Sequence, residues 1–108
     1  MEADRRIRNS EVNDWVAALH DADGGDWSDL HVQGAQMTLQ AMAATEDPYT
    51  GADLYRTFAS SDARTTLRGS VSMDLHTLTT IDPAIWRNLS RRAATLTDVS
   101  SGQIGRED

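Results

Sequence analysis

The chain has no cysteine among its 108 residues, which excludes disulfides, thiolate nucleophiles and cysteine-ligated zinc or iron–sulfur centres. It also has no lysine: all ten positive charges are arginine, so Schiff-base chemistry and a P-loop lysine are excluded as well. No apolar run approaches the roughly 18 residues that a membrane-spanning helix needs. The N-terminal stretch Met1–Arg8 is charged but has no apolar run behind it, so no secretory signal is expected, and a cytoplasmic location is. Gly-x-Ser-x-Gly, a glycine-rich phosphate loop and His-Glu-x-x-His are all missing. So are the Asp-Ser-Leu of an acyl carrier protein and the Trp-x-Gly of a secreted helical hairpin of the WXG type.

What remains is the composition of one small globular domain. Hydrophobic residues make up 39% and charged residues 25%, enough to bury a single core at this length. Residues 10–99 are expected to form one helical domain between an N-terminal arm, 1–9, and a flexible tail, 100–108. The net charge of −7 argues against nucleic acid as a partner, because nonspecific binding depends on neutralising phosphates. The charge is unevenly placed. Between Asn9 and Asp62 ten acidic residues face one base, Arg56, whereas the segments on either side each sum to +1. Such a block reads either as a solvated face or as a surface that attracts a basic partner.

Hydrophobic periodicity predicts a mainly α bundle of four to five helices. Val12, Trp15, Val16 and Leu19 recur at i, i+3, i+4 and i+7, with Ser10 as the expected N-cap and Gly24-Gly25 as the stop. A second helix, over about 27–45, starts from an Asp26 or Ser28 cap and ends before Asp47-Pro48. One of its faces carries Trp27, Leu30, Gly34, Met37, Ala41 and Ala44; nearly opposite lie Val32, Ala35, Leu39 and Ala43. A helix apolar on two faces is either central to the fold or half used for self-association. A short third helix runs from a Thr50 cap to about Ser60, with Leu54, Tyr55 and Phe58 on one side. The last begins at Asp82-Pro83 and carries Ile85, Trp86, Leu89, Ala93 and Leu96 on one face. Residues 64–78 are ambiguous. Leu67, Val71, Leu75 and Leu78 fit a helix capped by Asp62, which is the preferred reading, while full alternation from Leu67 to His76 fits a strand or hairpin and an α+β fold.

No catalytic, cofactor or metal site is expected. The densest polar segment, His20 to His31, invites comparison with a calcium loop, but counting Asp21 as position 1 puts Asp26 where glycine is needed and Val32 where the bidentate glutamate belongs. His20, His31 and His76 match no zinc spacing, and His20 and His31 sit at the edges of apolar stripes. The expected function is therefore a non-catalytic protein–protein interaction module of inhibitor, antitoxin-like, immunity-like or adaptor kind, whose partner carries a basic surface. A structural subunit of a homo-oligomer is the alternative, and a weak metal-binding protein or enzyme comes third. The candidate partner-binding residues are Asp21, Asp23, Asp26 and Asp29 in the acidic turn, and Arg87 and Arg91 on the last helix. Measured from Ile85, Arg87 and Arg91 fall at about 200° and 240°, away from the apolar stripe, while Arg92 at about 340° borders it. Arg92 is therefore expected to lay its stem along the core edge and pair with the acidic block.

Overall fold

The predicted helix starts at Ser28, Thr50 and Asp82 appear in the computed structural model, which describes residues 6–22, 27–45, 49–69 and 80–97. The chain is a mainly α bundle: 83% of the described residues are helical, in five α-helices and a short 3-10 turn, with no strand among them. The helices are α1 (Val12–Asp21), α2 (Asp29–Ala44), α3 (Gly51–Ala59), α4 (Ser61–Gly69) and α5 (Pro83–Thr97).

The local chemistry explains each start. Ser10 does not cap α1, contrary to expectation. Asn9–Glu11 form a 3-10 turn that leads directly into the helix, so the residue at the cap position is Glu11. At α2 the Ser28 amide donates to His31 Nδ1 at 3.0 Å, closing a reciprocal cap. His31 is thus buried and structural rather than a boundary residue. Thr50 and Asp53 make the same kind of cap at α3: the Thr50 amide donates to Asp53 Oδ2 at 2.9 Å, and Asp53 N–H donates back to Thr50 Oγ1 at 3.5 Å. For α4 the capping side chain is Ser60, not Asp62; its Oγ accepts from the Ala63 N–H at 3.2 Å. Asp82 caps α5 as expected, accepting from the Ala84 N–H at 2.8 Å ahead of Pro83.

The helical reading of 64–78 holds for residues 64–69, which rules out a strand there; residues 70–78 lie outside the described part, as do the tail 100–108 and residues 1–5 of the arm. Ile7, at the described end of that arm, belongs to the core, and its amide donates to the Tyr49 carbonyl at 2.9 Å beside an isolated bridge between Arg6 and Thr50. Helix α2 touches each of the other four helices, which makes it the central helix, and residues on both of its apolar faces (Gly34 and Ala41; Ala35 and Leu39) are buried. Gly34 is needed where it stands. A Cβ there would meet Leu89 Cδ1 at 3.2 Å and Ile81 Cδ1 and Trp86 Cζ3 at 3.3 Å, so its absence lets α5 approach α2 closely. Trp15, Leu19, Leu39, Leu54, Phe58, Leu67 and Leu89 fill the centre. No helix among the described residues is long and apolar enough to cross a membrane.

Candidate functional site

Helix α4 is strongly one-sided. Leu67 is its single buried residue, while Ser61, Arg64, Thr65 and Arg68 recur at i, i+3, i+4 and i+7 on one face. That face lines a cleft of about 700 Å³ against the start of α5. Ile81, Asp82, Pro83 and Trp86 contribute from the α5 side, with Thr80, and Leu30 closes one end from α2. A shallower hollow of about 350 Å³ shares Ser61, Arg64, Pro83 and Trp86 with it and continues to Phe58, Ala59 and Arg87. Together the two form a groove that runs over Arg64 and Trp86.

The two aromatic and aliphatic ends of this groove differ in depth. Trp86 is only 3% exposed, whereas Leu30, at 44%, is the single large hydrophobic side chain among the described residues that lies open. Arg64 is held from two directions. Its guanidinium stacks over the Trp86 ring at 4.5 Å from the centroid, and Nη1 donates to the carbonyls of Thr57 at 3.2 Å and Phe58 at 2.8 Å, in the last turn of α3. Burial lowers its pKa, because desolvation disfavours the charged form.

A second polar junction lies where α1 ends and α2 begins. Trp27 stacks on His31 with centroids 5.3 Å apart, meets His20 edge-on at 5.4 Å, and lies under the Arg92 guanidinium at 4.9 Å. Arg92 is fully buried. It donates from Nη1 to the Leu19 and His20 carbonyls at 2.9 Å each, and from Nε to Asn88 Oδ1 at 2.6 Å. The stem expected at the core edge thus lies deeper: Arg92 is a fully buried guanidinium that closes the C-terminus of α1 through backbone carbonyls, which that helix leaves without internal partners. This junction is a staple between α1, α2 and α5.

Of the residues singled out from sequence, Asp21 and Asp29 are exposed at the facing ends of α1 and α2, and Asp21 lies 3.0 Å from His20. Asp23 and Asp26 lie outside the described residues. Arg87 and Arg91 are both exposed on α5, but only Arg87 borders the groove. Among the described residues no group of three or more His, Cys, Asp or Glu side chains comes together in a way that suits a metal ion. Sequence reading did not single out Arg64, Arg68, Leu30 and Trp86 as a site. The signal was present in the polar i, i+4 pairs of α4 on a face turned away from Leu67, but residues of α2, α3, α4 and α5 build the groove. The chain matches no family model, no curated protein and no solved structure.

Proposed function

We propose that the chain is a non-catalytic protein-interaction module working in the cytoplasm, of inhibitor, antitoxin, immunity or adaptor kind, and that the α4–α5 groove is where its partner docks. The observation that carries this reading is Leu30, left 44% exposed at the mouth of a cleft that contains Trp86 and Ile81. An open apolar side chain beside a concave site is a common mark of a recognition surface. The groove is lined by the hydroxyl side chains of Ser61, Thr65 and Thr80; the Thr65 hydroxyl donates to the Ser61 carbonyl and Asp82 Oδ1 is engaged in capping α5. A nucleophile needs an adjacent base, so this set favours binding over catalysis. The acidic block with Asp21 and Asp29 supplies a second surface, suited to steering a partner that carries basic patches elsewhere.

The test is affinity capture from the native cell with the wild type and Leu30→Asp as baits. Leu30 is exposed, so the variant is expected to melt within about 2 °C of the wild type while losing the captured protein. Equal capture by both baits removes the groove from the binding surface. Light scattering separates the homo-oligomeric subunit: self-association abolished by Leu30→Asp would mean that the groove's occupant is a second copy.

A further inference from the structure

The charges around the groove run against those of the chain as a whole. The protein carries a net charge of −7, yet Arg64, Arg68 and Arg87 have no carboxylate within ion-pair distance among the described residues. Arg64 is the most constrained of them. Its Nη1 is used on the Thr57 and Phe58 carbonyls and its plane lies on Trp86, which leaves the Nε and Nη2 N–H groups without a partner among the described residues. A half-buried guanidinium with a free donor edge, next to a second arginine one turn along α4, is the geometry that grips a carboxylate in a forked pair.

We propose that the segment this groove accepts is acidic and apolar: a carboxylate adjacent to a large aliphatic or aromatic side chain. The carboxylate pairs with the free edge of Arg64 and with Arg68, and the apolar side chain lies against Trp86 and Leu30. The inference rests on the docking reading above and names the partner's chemistry. Charge complementarity carries it. A basic segment would meet three unpaired arginines, and a nucleic acid would meet the repulsion of the acidic remainder. The carboxylate is that of an Asp or Glu side chain within the segment; a chain's C-terminus, which presents the same two oxygens, is the alternative that the test separates. Partial desolvation of Arg64 without a counter-charge, visible in its lowered pKa, is the cost that such a ligand would relieve.

The experiment is an NMR titration of the full chain, reading the arginine Nε–H and tryptophan indole resonances against three synthetic peptides. The first is capped at both ends and holds one aspartate between leucines. The second has asparagine in place of the aspartate. The third is a tri-leucine with a free C-terminal carboxylate. The aspartate peptide is expected to shift Arg64, Arg68 and Trp86 saturably, and to bind on the order of tenfold more tightly than the asparagine peptide. Binding of the third peptide in place of the aspartate peptide, with the same preference over the asparagine peptide, would overturn the side-chain assignment in favour of a chain terminus. Arg68→Ala, an exposed change expected to leave the melting temperature in place, should erase the preference for aspartate. Equal binding of the aspartate and asparagine peptides overturns the acidic preference while docking in the groove stands. Inorganic phosphate shifting the same resonances at the same concentration also overturns it, because the site would then be a general anion subsite. If none of the three peptides moves a groove resonance, the docking reading falls too.

Discussion

Arg92 and Arg64 perform the same local chemistry in two places. Each lies over a tryptophan, at 4.9 Å from Trp27 and 4.5 Å from Trp86 respectively, and each donates from Nη1 to two carbonyls in the last turn of a helix, α1 for Arg92 and α3 for Arg64. Enclosure separates them. Arg92 is fully buried and adds a bond from Nε to Asn88, so its fork is spent inside the molecule. Arg64 is half-buried at a cleft and keeps a donor edge open. A guanidinium on an aromatic face and a helix end is therefore a staple when walled in, and one that keeps donors available to a ligand when one side faces solvent.

Four substitutions test that distinction. Arg92→Ala should have the largest effect. It leaves the Leu19 and His20 carbonyls unsatisfied in a dry site and opens a cavity under Trp27, together worth about 3 kcal/mol and about 12 °C of melting temperature. Arg92→Lys should recover only part of this, because one ammonium on a flexible stem does not reproduce the planar fork. Gly34→Val comes next, at about 2 kcal/mol, because the added atoms press on Leu89, Ile81 and Trp86, which already lie at 3.2–3.3 Å from a built Cβ. This variant also pushes on two residues that line the groove, so it should weaken ligand binding as well as stability. Arg64→Ala should cost only about 1 kcal/mol in urea denaturation, since water can reach the carbonyls it vacates, but it should abolish the preference for an aspartate-bearing peptide. Equal destabilisation by Arg92→Ala and Arg64→Ala would show that enclosure does not distinguish the two sites.

Much of the fold was legible because short-range chemistry specifies it. Thr50 with Asp53, and Asp82 with Pro83, mark helix starts whatever the tertiary structure, and the two apolar faces of α2 required a central position. The misses fall where an adjacent residue or turn competes for the same role, or where distant groups decide. Ser10 was displaced as a cap because a 3-10 turn precedes α1, and Ser60 rather than Asp62 caps α4. Helical rotation placed Arg92 correctly beside the apolar stripe but said nothing about depth, which Trp27 and, 72 and 73 residues away, the carbonyls of His20 and Leu19 set from distant parts of the chain. The alternation from Leu67 onwards resembled a strand because Leu67 is the one buried residue of α4 along its described length, so period 2 and period 3.6 gave the same inward residue. The groove was hidden for a related reason. Leu30, Arg64 and Trp86 share no local pattern and meet only once α2, α4 and α5 have packed.

The smallest effect on stability is expected from Arg87→Ala with Arg91→Ala. Both side chains are exposed on α5 and neither makes a side-chain hydrogen bond or ion pair among the described residues, so the double variant should unfold within about 0.5 kcal/mol of the wild type. Their effects on binding should differ. Arg87 borders the hollow shared with Arg64 and Trp86, whereas Arg91 stands one turn, about 5–6 Å, further along the helix and does not line it. A carboxylate held by Arg64 and Arg68 would feel Arg87 directly and Arg91 mainly through solvent, where salt screens charges over about 8 Å. Arg87→Ala should therefore weaken the aspartate peptide several-fold at physiological ionic strength, and Arg91→Ala should change it by less than twofold. Raising the salt to about 1 M should erase what effect Arg91 has and leave most of that of Arg87, since a contact in a partly desolvated groove is screened less than an exposed one. The result that would break the comparison is an equal loss from both single variants, removed together by salt. That would mean α5 attracts acidic partners by a diffuse field, with Arg64 having no more part in recognition than Arg92.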